Sequence, residues 1–416
     1  MAVDYDLICR QDALGPLLAA AFLVKEKCRV LLLPPLPEKV PEPSFLIPVV
    51  RGYPASLLAS LMELEKPPAD FFSWQSDLTH RSGSDSVSPG TQLSEVLMSN
   101  LAPGSGVELE QLWQLLDDCM VQGHEMPATS LGGIGQMLWL LVRNELLRER
   151  RKCNLLSWLE EAGVASSDQQ LWRSLIPLIS LSRFNDPPLL SFAYGIQTLL
   201  DPGGLIEISR LKKYLLEYLL SQGAQQVDQE WGPVFDGKWF IGVGENDKVA
   251  CRATLYLADS NPLSLMQEVP LPRRRRDFKR QFKLDDPGFK HLQTVSTKLQ
   301  RTPGQALYHF DCCGALDLSD TTLLGPADTE GQGLSEHRWQ AVEVQADCSN
   351  DFEIDDSWGW QPRLPAMMGG GFLPLSGSFC RFYQLGWHNL PGFGLGGLIY
   401  SAYQVAASVL KNDLKR

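Results

Sequence analysis

The chain has 416 residues with a net charge of −12, and 44% of its residues are hydrophobic while 21% are charged. This composition is typical of a globular protein with a buried core, and the length allows two or three domains. The acidic charge argues against nucleic-acid binding, because neutralising phosphates requires a basic surface. No apolar run approaches the length of about eighteen residues that a transmembrane helix needs, so we expect none.

The nine cysteines are an odd number and form no C-x-x-C pair, which predicts neither a disulfide framework nor a zinc site. The N-terminus, Met1–Asp6, has no basic segment, so the sequence predicts no secretory signal. We therefore expect a cytoplasmic protein without a bound metal.

A strand, a helix and a second strand are predicted near the N-terminus. Tyr5–Cys9 is a short apolar run typical of a buried strand, and apolar residues then recur at helical spacing from Leu14 to Ala21. Arg29–Leu33 is a second buried run, which ends at Pro34. These elements predict a βαβ unit with two parallel strands.

The central part of the chain, residues 91–200, has helical periodicity and few strand signals, which predicts a helical lobe. Four tryptophans fall within it, at Trp113, Trp139, Trp158 and Trp172. We interpret them as core residues of a helical bundle, since apolar residues at this spacing usually face a core. The alternative is an apolar substrate channel or a partner groove.

The rest of the chain contains a second composite unit, a region of mixed strands and a C-terminal helix. Residues 203–262 begin with Gly203 and Gly204 and continue as a helix followed by short strands. Residues 263–386 combine strands with long loops. A glycine-rich turn over 389–397 then precedes an apolar helix over 398–410.

Three separated segments resemble flavin-dependent oxidoreductases of the phytoene desaturase and amine oxidase type. They are the opening βαβ unit over 4–33, the unit over 203–262, and the motif Pro391–Gly397 with its helix. Rab GDP-dissociation inhibitors, which bind a protein and a prenyl chain rather than FAD, resemble the same scaffold. The resemblance implies an α/β fold, in which a discontinuous FAD/NAD(P)-binding Rossmann-like domain carries a helical and mixed-sheet substrate-type lobe.

The resemblance also implies how the chain is divided. The first Rossmann-like segment is 1–80, the helical lobe is 81–200, the second Rossmann-like segment is 201–262, the substrate-type lobe with its mixed sheet is 263–386, and the C-terminal motif and helix are 387–416. We therefore expect the first two strands to be parallel neighbours and the C-terminal helix to pack in the same domain as they do.

The loop after the first strand departs from the family's G-x-G-x-x-G pattern, whose glycines allow a tight turn and close approach of the backbone to a diphosphate. The three glycine places hold Gln11, Ala13 and Pro16, and Gly15 lies at a neighbouring position. The place where the family has an acidic residue for the ribose hydroxyls holds Pro34.

These replacements oppose a bound diphosphate. The methyl group of Ala13 lies where the backbone should approach the phosphates, Pro16 removes a backbone donor, and Asp12 adds a negative charge at the anion site. Pro34 has no acceptor side chain for the ribose. We therefore predict that FAD does not bind in the family's usual pose.

The C-terminal motif retains glycines at Gly392, Gly394, Gly396 and Gly397. By resemblance, this turn would contact a flavin. The alternative, which we favour, is a plain glycine turn that starts the helix and packs on the nucleotide domain.

Arg273, Arg274, Arg275 and Arg276 form the strongest basic run of this acidic chain. They predict either a partner-binding surface, for an acidic protein or an anionic head group, or a solvated loop that pairs with the acidic stretch 351–356. Charge runs are usually solvated, which favours the second interpretation.

Two hypotheses for function follow. The first is a non-catalytic relative of FAD-dependent phytoene desaturase-like oxidoreductases, which has no bound cofactor and acts by binding a protein partner or an apolar small molecule. The alternative is an FAD-dependent oxidoreductase acting on a hydrophobic, isoprenoid-like or amine substrate. No residue is assigned a catalytic role, because in this family the flavin carries the redox chemistry.

Overall fold

The structure is a computed structural model. It describes residues 4–11, 13–35, 46–48, 50–62, 78–82, 85–86, 97–126, 131–166, 168–169, 172, 187–200, 205–227, 232–235, 240–243, 249–259, 290–299, 308–312, 321–326, 334–343, 376–377, 382–386, 390 and 393–414.

The helices of these residues lie in the N-terminal unit, the central region and the C-terminus. They are α1 (Leu14–Lys25), α2 (Gly52–Leu61), α3 (Ser105–Val121), α4 (Leu131–Arg143), α5 (Glu145–Arg150), α6 (Leu155–Glu161), α7 (Leu189–Leu200), α8 (Ile208–Ser221) and α9 (Gly394–Ser408), which continues as a π-helical turn over Val409–Asp413.

The strands form two larger sheets and one pair. They are β1 (Tyr5–Arg10), β2 (Val30–Leu33), β3 (Leu46–Pro48), β4 (Leu78–Ser82), β5 (Asp85–Ser86), β6 (Leu205–Glu207), β7 (Gln225–Gln226), β8 (Gly232–Phe235), β9 (Phe240–Val243), β10 (Val249–Asp259), β11 (Lys290–Leu299), β12 (Tyr308–Cys312), β13 (Thr321–Pro326), β14 (Leu334–Glu343), β15 (Ser376–Gly377) and β16 (Phe382–Leu385).

The first sheet has a parallel centre in the order β7–β2–β1–β10–β16. Leu7 of β1 pairs with Val30 of β2 on one side and with Leu255 of β10 on the other. β15 is antiparallel to β16 at one edge, and β9 and β8 extend β10 as an antiparallel hairpin. This strand order, with the first strand in the middle, is that of a Rossmann-like nucleotide-binding domain.

The apolar composition of β1, β2 and α1 explains why they form the centre of the domain. Val30–Leu33 are buried, and α1 is buried on all sides from Leu14 to Val24. A parallel sheet is covered on both faces, so its strands and the helix next to them are apolar all round. The carboxylate of Asp6 accepts a 2.8 Å hydrogen bond from the backbone N–H of Arg29, which ties the starts of β1 and β2 together.

α9 packs beside α1, where the rings of Phe22 and Tyr403 meet edge to face with centroids 5.6 Å apart. The opening unit, the second unit and the C-terminal helix therefore come together around one sheet, with β1 and β2 parallel and adjacent. This confirms the α/β, Rossmann-like fold predicted from the sequence.

The second sheet has the order β11–β14–β13–β12–β4–β5 and is antiparallel except where β12 pairs with β4. Most of its strands come from the mixed-strand region, as the sequence predicted. β4 comes from much earlier in the chain, so the expected boundary at residues 80 and 81 falls inside a strand of this sheet. The signal was weak, because Leu78–Ser82 is a short polar strand.

Candidate functional site

The candidate site is the edge of the parallel sheet where β1 and β2 end and α1 begins. The backbone N–H of Gln11 donates to the carbonyl of Leu33 at 3.1 Å, so pairing of the two strands continues one residue past β1. Ala13 is the N-cap of α1 with φ −120° and ψ 131°, and no side chain caps the helix there. Pro16 is the third helical residue, and its lack of an N–H removes one of the donors that a helix start offers to anions.

The start of α1 is covered by protein. Ala13 is only 1% exposed, and Leu14 and Leu17 are fully buried. A Cβ atom on Gly15 would lie 2.8 Å from the carbonyl oxygen of Leu385, because β16 passes directly against the first turn of the helix. Gly15 is therefore needed for close packing of the helix on β16.

The residue after β2 is held by a buried arginine. Arg10, the last residue of β1, is 5% exposed, and its Nη1 donates to the carbonyl oxygen of Pro34 at 3.0 Å. Gln226 of β7 donates through Nε2 to the side-chain oxygen of Gln11 at 3.5 Å. The structure thus brings Gln11, Ala13 and Pro34 to one edge of the sheet. Asp12 lies outside the described residues, and its effect on an anion stays a prediction.

Arg10 was not identified from the sequence, although a signal was present. It is a charged residue at the end of an apolar run that was assigned to a buried strand. A buried guanidinium needs acceptors, and the main-chain carbonyl that ends β2 supplies one.

The glycines at the start of α9 are packed against the chain's own aromatic and apolar groups. Gly394 has φ +55°, which favours glycine. A Cβ atom on Gly396 would lie 3.0 Å from Cε1 of Tyr194, and one on Gly397 would lie 2.6 Å from Cβ of Phe393. The ring centroids of Tyr194 and Phe393 are 5.0 Å apart. Gly392 lies outside the described residues.

Tyr194 lies in a buried polar cluster between α2, α3, α7 and α9. Its hydroxyl has no hydrogen-bond partner among the described residues. Burial raises the pKa of Tyr194 well above 10, and the charges of Asp117 and Tyr400 raise it further. The hydroxyl of Tyr400 donates to the carbonyl of His124 at 2.7 Å.

Asp117 joins α3 to the start of α2. Its Oδ1 accepts a 2.8 Å hydrogen bond from the backbone N–H of Tyr53, and Gly52 leaves room for the carboxylate with φ +65°. Burial raises the pKa of Asp117, while the bond from Tyr53 lowers it. The pKa of Tyr53 is raised to about 12 by burial and by its hydrogen bond to Tyr403. No sequence motif marks these residues, which are distant in the chain.

The tryptophans of the helical lobe have three different environments. Trp158 and Trp172 are buried and meet edge to face with centroids 6.1 Å apart, which confirms them as core residues. Trp113 is partly buried, with Arg51 5.1 Å above its ring. Trp139 is 49% exposed, so its assignment to the core was wrong: the helix turns Met137 and Leu141 inward instead.

The remaining predicted features have no described counterpart. Arg273, Arg274, Arg275 and Arg276 lie outside the described residues, and both interpretations of that run stay predictions. Within the described ranges, no group of three metal-ligating side chains is found. No helix in the part of the chain that the structure describes is long and apolar enough to cross a membrane.

No family model and no curated protein matches this sequence. Among solved structures, an oxidoreductase from Methanosarcina mazei matches with a TM-score of 0.56 and 12% identity, over 96% of this chain and 99% of that one. Cyclohexylamine oxidase from Brevibacterium oxydans matches with a TM-score of 0.54 and 13% identity, over 99% and 100%. A triple mutant of putrescine oxidase matches with a TM-score of 0.55 and 11% identity, over 98% and 99%.

These likenesses extend over almost the whole of each chain, and their identities are low. They show that this chain has the α/β, Rossmann-like fold of FAD-binding oxidoreductases.

Proposed function

We propose that this protein is a non-catalytic relative of FAD-dependent oxidoreductases, which acts by binding a protein partner or an apolar ligand. In this proposal the chain keeps the fold of that class but does not hold FAD in the dinucleotide pose. The observation that carries the proposal is the closed start of α1, where Ala13 is 1% exposed and Gly15 lies against Leu385.

The geometry at α1 opposes a diphosphate for two reasons. A diphosphate on a Rossmann helix needs open space at the first turn, because its oxygens contact backbone N–H groups there. The methyl group of Ala13 lies at this turn, and Ala13 is 1% exposed. Pro16 also leaves the turn without the third N–H, so the anion would have less room and one donor fewer.

The ribose side of the cleft supports the same proposal. A ribose held after β2 needs a side-chain acceptor for its hydroxyls. Pro34 has none, and its carbonyl oxygen already accepts from Arg10. One lone pair of that oxygen is therefore in use, and Pro34 adds no side-chain acceptor that could bind both ribose hydroxyls.

The C-terminal turn offers no open place for a flavin ring against Gly396. In the resemblance, the glycines of this turn allow a flavin to approach the helix start. Here Tyr194 is in contact distance of that glycine and is itself fully packed, with Phe393 on its ring. Gly396 and Gly397 therefore accommodate side chains of the same chain.

The second candidate function is an FAD-dependent oxidoreductase acting on a hydrophobic or amine substrate. It is favoured by the match to cyclohexylamine oxidase and to the Methanosarcina oxidoreductase over nearly full length. In that case FAD would have to bind in a shifted pose, away from the first turn of α1. The FAD would supply the redox chemistry, and no residue of this chain is assigned a step in it.

One absorbance spectrum tests the proposal. We expect the full-length protein, purified from riboflavin-supplemented cells, to show no flavin band, and we expect added FAD to leave its melting temperature unchanged. A flavin oxidase of the same fold, purified in parallel, is the positive control. Stoichiometric flavin in the preparation would overturn the proposal and establish the second candidate.

The binding part of the proposal has its own measurement. Native mass spectrometry and an organic extract of the same preparation would detect a co-purifying protein or apolar molecule. A flavin-free protein that oxidises amines or isoprenoids would contradict a non-catalytic role.

A further inference from the structure

An apolar surface is exposed on α4 in the helical lobe. We name it the Trp139 face, and it consists of Leu138, Trp139 and Val142, which are 57%, 49% and 76% exposed. The opposite side of the same helix is also apolar, and Met137 and Leu141 are buried there. A helix of a soluble domain usually has a polar outer side, so a contiguous apolar outer side indicates contact with something beyond the chain.

Positive charge lies at the Trp139 face and in the segment that follows it. α4 contains no acidic residue, and Arg143 at its end lies over the ring of Trp139 at 4.1 Å. The segment 143–152 has five basic and two acidic residues in a chain whose net charge is −12. Arg148 and Lys152 are exposed there.

The fold has turned one of these basic side chains inward and left others at the surface. Arg150 is paired with Glu108 and Glu161, which neutralises it within the lobe. Among the described residues, Arg148 has the exposed Glu145 as its one ion-pair partner, at 3.1 Å. Exposed pairs of this kind contribute little to stability, so Arg148 can exchange its partner for an external anion at small cost.

We propose that the Trp139 face docks on an anionic lipid surface, with α4 lying in the plane of the head groups. Leu138, Trp139 and Val142 then insert at the boundary between head groups and acyl chains, and Arg143 and Arg148 face the lipid phosphates. Tryptophan with aliphatic residues on one side of a short helix, with arginine and lysine next to them, suits this interface. The inference goes beyond the proposed function and does not depend on whether FAD binds.

A lipid surface fits these observations better than a second protein. A protein groove needs matched shape and acceptors for the basic side chains, whereas a bilayer accepts any apolar stripe and supplies phosphates along its whole surface. A second copy of this chain would bring another Trp139 face with the same positive charge, so like charges would meet. The face is therefore complementary to an anionic membrane and not to itself.

Flotation with vesicles tests the proposal. We expect the full chain to bind vesicles of phosphatidylcholine and phosphatidylglycerol in equal parts at low salt. We expect weak binding to phosphatidylcholine alone, and release by raised salt. The double variant Trp139→Ser, Val142→Ser should lower the partition coefficient by about tenfold or more, since the apolar contact is lost. Arg148→Ser with Lys152→Ser should weaken binding to the anionic vesicles only.

Leu220→Ser is the matched control, because Leu220 is an exposed leucine of α8 outside the Trp139 face. The Leu220→Ser variant should bind vesicles as the unaltered protein does. All variants should have the melting temperature of the unaltered protein, since the changed side chains are exposed. No binding of the unaltered protein to anionic vesicles would overturn the proposal. An equal loss of vesicle binding with Leu220→Ser would overturn it too. A dimer in light scattering that the double variant Trp139→Ser, Val142→Ser converts to a monomer would also overturn it.

Discussion

The N-terminal turns of α1 and α9 differ in glycine content, yet in the structure both are in close contact with other parts of the chain. At α1 the family's three glycine places hold Gln11, Ala13 and Pro16, whereas the α9 turn keeps its glycines. On sequence alone, the first start has lost its ligand and the second has retained the means to bind one. In the structure both starts are packed by the chain itself.

One glycine in the first turn of each helix allows a close approach of another part of the chain. Gly15 allows the backbone of Leu385 to pass within contact of α1, and Gly396 allows the ring of Tyr194 to rest on α9. A glycine marks a place where something approaches the backbone closely, and it does not say whether that is a ligand or the protein. The comparison therefore teaches that retained glycines are not by themselves a record of a retained cofactor.

The largest effect is expected at Gly15. Gly15→Ala would place a methyl group 2.8 Å from the Leu385 carbonyl oxygen, and backbone cannot move aside as a side chain can. We expect a loss of about 2–3 kcal/mol in the free energy of unfolding, measured with urea. Gly135→Ala in α4 is the control, because no atom lies within 4 Å of its added Cβ. It should be neutral or stabilising by about 0.5–1 kcal/mol. Equal stability of the two variants would show that β16 does not close α1.

A smaller effect is expected at Gly396. The added methyl group of Gly396→Ala would lie 3.0 Å from Cε1 of Tyr194, which is a side-chain contact and longer than the backbone contact at Gly15. We therefore expect a loss of about 1–2 kcal/mol in the free energy of unfolding. Combining it with Tyr194→Leu should recover part of that loss, as a coupling of about 1 kcal/mol in a double-mutant cycle.

Gly397→Ala sharpens that test, because its added Cβ meets Phe393 and Leu390 and not Tyr194. Its cost should change less with Tyr194→Leu than that of Gly396→Ala does, because Tyr194 acts on it only through Phe393. Additive energies in both cycles would contradict the packing of Tyr194 on the α9 turn.

The smallest effect at neutral pH is expected for Tyr194→Phe. It removes a buried hydroxyl that has no partner among the described residues, so stability should be unchanged or raised by about 0.5–1 kcal/mol. A lower free energy of unfolding for Tyr194→Phe would mean that the hydroxyl donates or accepts a hydrogen bond in the folded protein.

The pH dependence of the same variant has a defined sign. The pKa of Tyr194 is raised in the folded state by burial, so above the unfolded value of about 10 the unfolded chain releases a proton that the folded chain keeps. Stability is therefore lost as pH rises past that value. Tyr194→Phe removes this contribution, and its advantage over the unaltered protein in urea unfolding should grow as the pH rises from 10 to 11. A constant difference over that range would mean that Tyr194 titrates normally.

α4 shows a second difference between the sequence-based prediction and the structure, because its outer side is apolar and exposed. Trp139, like Trp158, lies among leucines in a segment of helical periodicity, and the sequence predicts both in the core. The helix has two apolar sides, and only one can face the lobe. Periodicity locates an apolar side but cannot say which of two will be buried.

The sequence by itself determined the βαβ unit and the helices of the central region, because apolar periodicity and chain order restrict the possible topologies. The discontinuous Rossmann-like domain was implied by the resemblance of three segments to flavin-dependent oxidoreductases. The resemblance also assigned Ala13, Pro16 and Pro34 to one dinucleotide-binding site. Only the tertiary structure decided that β16 lies on Gly15, that Arg10 holds Pro34, and that Tyr194 rests on Gly396. Those contacts join residues far apart in the chain, and they depend on the exact separation of packed elements, which local sequence does not encode.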